Sequence, residues 1–134
     1  MDGTQLDTPV VLIAERDRSV RDLQSHFLEV AGFRVEFAED GQAALDKARA
    51  NPPALLVTEI LLPKLDGLAL CRLLRADPLT RDVPLIVFSI LAAEQRAIEA
   101  GADVFLRKPL VDSVFVTSVL EWTRASHNGV TVQQ

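Results

Sequence analysis

Short apolar runs alternate along this chain with longer segments whose apolar residues recur at helical spacing. Val10–Ala14 is an uninterrupted apolar run, which is typical of a strand covered on both faces. In the segment that follows, apolar residues recur at spacings of 3, 4, 3 and 1, and this pattern predicts a helix with one apolar stripe. The predicted stripe consists of Val20, Leu23, Phe27, Val30 and Ala31.

The alternation continues to the end of the chain. Further strands are predicted at residues 33–37, 55–57, 85–88 and 104–106, and further helices at 40–50, 67–76, 93–100 and 111–124. The last segment is rich in β-branched residues, but its apolar residues keep helical spacing and 14 residues is long for a strand. Five strand-then-helix units predict an α/β fold with a parallel sheet and helices on both faces.

Composition and charge narrow the class of protein. The chain has 134 residues, 49% of them hydrophobic, which is enough for one domain, predicted at residues 10–125. A net charge of −5 argues against direct nucleic-acid binding and against attachment to anionic lipid. A single cysteine, Cys71, fits a reducing compartment, and no apolar run approaches the length of a membrane span. We therefore expect a cytoplasmic domain between flexible polar tails at 1–9 and 126–134, the second of which could begin a linker.

Charged and hydroxyl-bearing residues follow the predicted strands where those strands end. Because the carboxyl ends of parallel strands meet at one edge of the sheet, such residues are candidates for a common site. Each of them alone could equally be a solvated loop residue. The candidates are Glu15, Arg16 and Asp17 after the first strand, Glu59 after the third, Ser89 after the fourth and Lys108 after the fifth.

The strings that contain these residues resemble the receiver domain of two-component response regulators. They are VLIAERDRSVRDL, LLVTEILLPKLDGLALCRLLR, VPLIVFS and AGADVFLRKPL, and the likeness covers nearly all of residues 10–124. The resemblance implies a flavodoxin-like (βα)5 three-layer sandwich with sheet order 2-1-3-4-5. It also implies a signalling module without enzyme activity of its own, with a histidine kinase or a downstream regulator as partner. A homodimer through the face formed by the fourth helix, fifth strand and fifth helix would fit that family.

The residues at the family's functional positions depart from its pattern. Glu15 and Arg16 stand where the family has two acidic residues that help to hold Mg²⁺, and Glu59 stands at the phosphate-accepting aspartate. The hydroxyl and the phosphate-contacting lysine are kept as Ser89 and Lys108. Phe105 occupies the aromatic switch position, where a core role is the simpler interpretation.

Arginine at a metal-ligand position changes the chemistry of the site. Mg²⁺ requires oxygen ligands in near-octahedral geometry, whereas Arg16 offers no acceptor and adds a permanent positive charge. Glu15, Glu59, Arg16 and Lys108 sum to zero charge without an ion. We therefore expect that the Mg²⁺ site is lost, that arginine replaces the metal electrostatically, and that Glu59 pairs with Lys108 or Arg16. Asp17 could partly supply the missing ligand.

Two interpretations of Glu59 stay open on the sequence. Its longer side chain could imitate the phosphorylated state, or it could be a relic carboxylate in an inert site. The prediction is a degenerate pseudo-receiver that acts through protein contacts without phosphorylation. The alternatives are a phosphorylatable receiver with an atypical site and a non-switching scaffold or dimerisation domain of a larger regulator.

Overall fold

A five-stranded parallel sheet forms the centre of the computed structural model, which describes residues 8–128. The sheet order is β2-β1-β3-β4-β5, so the predicted flavodoxin-like α/β topology is confirmed. All four neighbouring strand pairs are parallel. The strands are β1 Val10–Ala14, β2 Arg34–Ala38, β3 Leu55–Thr58, β4 Leu85–Ser89 and β5 Val104–Arg107.

A helix follows each strand, as predicted. The helices are α1 Arg18–Val30, α2 Gly41–Ala50, α3 Gly67–Ala76, α4 Glu94–Glu99 and α5 Asp112–Asn128. The β-branched last segment is therefore a helix. It continues to Asn128, so residues 126–128 of the predicted C-terminal tail are helical. Of the predicted N-terminal tail, Pro9 is tied to the sheet through a bond from Arg34 N to its carbonyl oxygen (3.0 Å). Residues 1–7 and 129–134 lie outside the described residues.

Alternate residues along each strand face opposite layers of helices. One layer contains α1 and α5, and the other contains α2, α3 and α4. The core residues on the α1 and α5 side include Val11, Ile13, Leu28, Val57, Ile86, Phe88, Phe115 and Val119. Those on the other side include Leu12, Ala44, Leu45, Leu56, Leu70, Cys71, Leu74, Leu85, Val87 and Ala97. These layers pack against both faces of the sheet and so fix the positions of the strand ends. Separately, no helix in the described residues is long and apolar enough to span a bilayer.

The apolar stripe predicted for α1 is confirmed only in part, because Val20 and Ala31 pack against the core while the centre of the buried face lies on other residues. Gln24 and Leu28 are the buried residues of this helix, whereas Leu23 and Val30 are 45% and 74% exposed. A periodic pattern locates the buried face from apolar residues alone, and the polar Gln24 in the middle of that face shifted the prediction toward its neighbours. The consequence is that Leu23 faces solvent near the candidate site.

Candidate functional site

Four of the candidate side chains meet at the carboxyl edge of the sheet. Glu15 follows β1, Glu59 follows β3, Ser89 ends β4 and Lys108 follows β5. Glu15, Glu59 and Ser89 are each less than 5% exposed, at 2%, 4% and 0% respectively. Charges removed from water to this extent are costly unless they are paired and hydrogen-bonded. The stability of the site therefore depends on the contacts within it.

Lys108 neutralises part of this buried charge by bridging two carboxylates. Its Nζ lies 2.8 Å from Glu15 Oε1 and 2.9 Å from Glu59 Oε2. Burial acts to lower the pKa of Lys108, but the two ion pairs outweigh it and hold that pKa above its ordinary value. The ammonium group is thus fixed in its charged form between the first and third strands.

Both oxygens of Glu59 are fully engaged. Oε1 accepts hydrogen bonds from the Ser89 hydroxyl, from Ile60 N (2.6 Å) and from Leu61 N (3.3 Å). Oε2 accepts from Ile90 N at 3.3 Å in addition to its ion pair with Lys108. Burial acts to raise the pKa of this carboxyl, but the bonds from Ser89, Lys108 and Ile60 together lower it below its ordinary value. Glu59 is therefore an ionised carboxylate held by three segments of the chain.

The loop after β4 closes onto this carboxylate. Ser89 Oγ donates to Glu59 and accepts from Leu91 N at 3.1 Å, while Lys108 N donates to the carbonyl of Ser89 at 2.9 Å. The loop after β3 is packed equally tightly, because a Cβ atom at Gly67 would collide with the carbonyl oxygen of Glu59. Glycine at the start of α3 lets that helix approach the end of β3, which fixes the backbone of Glu59.

Arg16 and Asp17 lie at the rim of the site and do not pair with Glu59. Arg16 is exposed and, within residues 8–128, joins no ion pair. Asp17 caps α1, since its Oδ1 accepts from Ser19 N (2.9 Å) and Val20 N (3.4 Å). Among residues 8–128, Lys108 is thus the only cation paired with Glu59, and Glu15, Glu59 and Lys108 together carry a net charge of −1. The predicted neutral charge of the site was wrong, because it included Arg16, which does not join the cluster of Glu15, Glu59 and Lys108.

Phe105 lies on β5, which β4 separates from the strand that Glu59 follows. It pairs with Val87 in the sheet and packs, partly buried, against the core on the α2, α3 and α4 side. This is the core position that the simpler interpretation expects, and no hydrogen-bonding group connects it to the site.

The donor set does not fit Mg²⁺ as it stands. Glu15 Oε1 is paired with Lys108, and Glu15 Oε2 accepts from Asp17 N at 3.1 Å. Both oxygens of Glu59 are likewise occupied. Among the described residues, no three His, Cys, Asp or Glu side chains are grouped so that they could hold a metal ion. A divalent ion would have to displace the existing contacts of these carboxylates.

An open apolar groove adjoins the site on the α1 side. It has a volume of about 530 Å³, and its polar lining residues are Lys108, Asp17 and Ser19. Its apolar wall includes Val20 and Leu23 of α1, Ile90 of the loop after β4, and Leu110. The exposure of Leu23 is explained by its place on this wall.

The sequence did not reveal the backbone donors of the site. The N–H groups of Ile60, Leu61 and Ile90 all point at Glu59, and any residue type except proline supplies such a donor. Their only signal is position, since each lies within three residues of the end of β3 or β4.

Comparisons with known proteins agree with this architecture. A sequence profile described as the response regulator receiver domain matches residues 11–120. The DNA-binding dual master transcriptional regulator RpaA of Synechocystis is 38% identical over 104 residues, which are 75% of this chain and 43% of that protein. Response regulator MprA of Mycolicibacterium vanbaalenii is 35% identical over 102 residues, or 74% and 43% of the two chains. The matched region thus spans less than half of each relative.

Solved structures show the same fold. The signal receiver domain of a signal transduction histidine kinase from Syntrophus aciditrophicus superposes with a TM-score of 0.84 and 29% identity, covering 95% of this chain and 98% of that one. Chemotaxis response regulator CheY4 of Vibrio cholerae gives a TM-score of 0.80 at 24% identity, covering 86% and 98%. With the profile match over most of its length, the chain belongs to the response regulator receiver domain family, whose members are signalling modules that interact with histidine kinases and downstream effectors.

Proposed function

We propose that this receiver domain signals through protein contacts without being phosphorylated, because Glu59 is already held as a phosphoryl group would be. The observation that carries the proposal is the pair of bonds that Glu59 accepts, one from the Ser89 hydroxyl and one from Lys108 Nζ. These are the hydroxyl and lysine that the family uses to contact phosphate. Any buried carboxylate needs a cation, but here the Ser89 hydroxyl at the end of β4 also donates to Glu59, and this second contact favours imitation of the phosphorylated state over an inert site.

The imitation is partial in charge and nearly complete in contacts. A carboxylate carries one negative charge, whereas a phosphoryl group carries about −1.5 to −2 and has three acceptor oxygens. The two oxygens of Glu59 nevertheless engage Ser89, Lys108 and the backbone N–H groups that follow β3 and β4. The loop after β4 is thereby drawn toward the third strand by the protein alone.

The same contacts argue against phosphorylation of Glu59. Attack on a phosphoryl donor uses an oxygen lone pair, and the donors that hold both carboxylate oxygens lower the nucleophilicity of those oxygens. Arg16 supplies no acceptor for Mg²⁺, and Asp17 is committed to the start of α1.

Partner binding is proposed at the face formed by α4, β5 and α5. This face carries exposed apolar residues, among them Ile98 on α4 and Val114 on α5, at 46% and 49% exposure. α4 has only six residues and no side-chain cap, so this face is reshaped relative to a longer helix. A histidine kinase, a downstream regulator or a second copy of the domain would be the partner, with neither nucleic acid nor membrane contacted directly by this acidic domain, which we place in the cytoplasm.

The test is phosphorylation by a small acyl phosphate in the presence of Mg²⁺, measured by intact mass. The wild-type domain should gain no phosphoryl group. The matched control is the double variant Arg16→Asp with Glu59→Asp, which restores the acidic residue and the acceptor of the family and should gain one. A phosphoryl group on wild-type Glu59 would contradict the proposal and favour an atypical but phosphorylatable receiver.

A further inference from the structure

A second hold on the loop after β4 comes from outside the carboxylate cluster. Arg107 Nε donates to the carbonyl oxygen of Ile90 at 2.8 Å. The backbone N–H group of Ile90 donates to Glu59 Oε2 at 3.3 Å. Both backbone groups of Ile90 are therefore hydrogen-bonded, its N–H group to the buried carboxylate and its carbonyl group to an exposed arginine.

The strand register explains how Arg107 reaches this carbonyl. β4 and β5 are parallel, with Ser89 opposite Arg107, and Lys108 N donates to the carbonyl of Ser89. Ile90 is the first residue beyond β4, so its carbonyl has left the strand ladder. The Arg107 side chain provides the donor that the ladder no longer supplies. Within residues 8–128, Arg107 joins no ion pair that would draw its guanidinium group elsewhere.

We propose that Arg107 is a positioning residue that keeps Ser89 and Ile90 turned toward Glu59 without any phosphoryl group. This inference rests on the proposed function, because it concerns what keeps the loop after β4 bonded to Glu59. The bonds from Ser89 and Ile90 to Glu59 hold the loop only from within the site. Arg107 holds the same loop from the surface, through the hydrogen bond from its Nε to the carbonyl oxygen of Ile90.

The two holds also fix a wall of the apolar groove. The side chain of Ile90 is 59% exposed and lines the groove beside Lys108. When its N–H and C=O groups are both bonded, the direction of this side chain is set. Arg107 thus links the state of the buried site to the shape of a surface next to it.

The experiment measures amide exchange by NMR in the full chain. Arg107→Ala should speed the exchange of the Ile90 and Leu91 amides about threefold to tenfold, the effect of losing roughly one hydrogen bond. Arg107→Lys, which keeps a charged donor of similar reach, should return most of the protection. Arg96→Ala, at another exposed arginine, on α4, is the matched control and should change neither amide.

A further variant separates this inference from the proposal on which it rests. Glu59→Gln removes the negative charge that holds the loop after β4, here called the latch, and should speed the exchange of the Ile60 and Ile90 amides. If Glu59→Gln has this effect and Arg107→Ala has none, Arg107 holds nothing and only the present inference fails. If Glu59→Gln leaves both amides unchanged, the latch itself is absent and the proposed function fails. Faster exchange throughout the sheet in Arg107→Ala, unrelieved by Arg107→Lys, would make the residue a general structural support and also overturn the positioning role.

Discussion

Removal of the Lys108 ammonium group should destabilise the folded domain, because it leaves two buried carboxylates without their cation. Lys108→Met keeps a side chain of similar length but leaves Glu15 and Glu59 facing each other without a cation. The side chains of the two carboxylates are only 3% and 4% exposed, and that of Lys108 is 15% exposed, so water can replace the lost contact poorly. Breaking a buried pair by removing one partner costs about 3–5 kcal/mol. For a domain of this size we expect the melting temperature to fall by roughly 10–20 °C at neutral pH.

The pH dependence of stability should change sign with this substitution. In the wild type, the folded-state pKa of Glu59 lies below the ordinary 4.5, so its contribution is present above that pH and is lost as the pH falls through the folded-state value. In Lys108→Met, a proton shared by the two carboxylates would replace the lost cation. The variant should therefore become more stable as the pH is lowered from neutral toward 5, while the wild type should not.

Thermal unfolding followed by circular dichroism between pH 5 and 8 measures both effects. Lys47→Met serves as the control, because Lys47 is exposed on α2 and its loss should cost about 0.5 kcal/mol or less. A loss of less than about 1 kcal/mol in Lys108→Met, or a pH profile parallel to that of the wild type, would refute the account of Lys108 as the essential cation.

Three further predictions concern the metal site, a surface tie and the cysteine. Arg16→Asp with Glu59→Asp should lower stability by about 1–2 kcal/mol without Mg²⁺ and regain it when Mg²⁺ is added, with neither single change sufficient; an unchanged melting temperature with Mg²⁺ would contradict this. Arg75 donates to three backbone carbonyls and one carboxylate, so Arg75→Ala should lower the free energy of unfolding by about 2–4 kcal/mol in chemical denaturation. The control Arg72→Ala, at an exposed arginine, should cost little, and equal losses in the two variants would show that these hydrogen bonds do not stabilise the fold. Burial raises the pKa of the Cys71 thiol to about 12, so thiol reagents should label it only at the rate of unfolding, and rapid labelling of the folded chain would disprove its burial.

The order of strands and helices could be predicted from the sequence because it depends on local periodicity. Even α5, whose residues favour strands, was assigned correctly, since the spacing of its apolar residues is that of a helix. The buried face of α1 was predicted only in part, because one buried glutamine interrupts the apolar pattern and only packing against the sheet selects the face. Local patterns thus define an element, whereas neighbours determine its orientation.

The candidate site divides in the same way. Glu59, Ser89 and Lys108 could be selected from the sequence, because parallel strands deliver their carboxyl ends to one edge. The choice between Lys108 and Arg16 as the partner of Glu59 could not be made, since it depends on where each side chain points when it leaves its strand. The grip on Ile90 was equally hidden, because it joins backbone groups that every residue carries to an arginine brought near by strand register. The sequence alone determined which side chains follow the strands at this edge of the sheet. The tertiary structure decided which of those side chains and which backbone N–H groups bond, because that depends on side-chain direction and strand register.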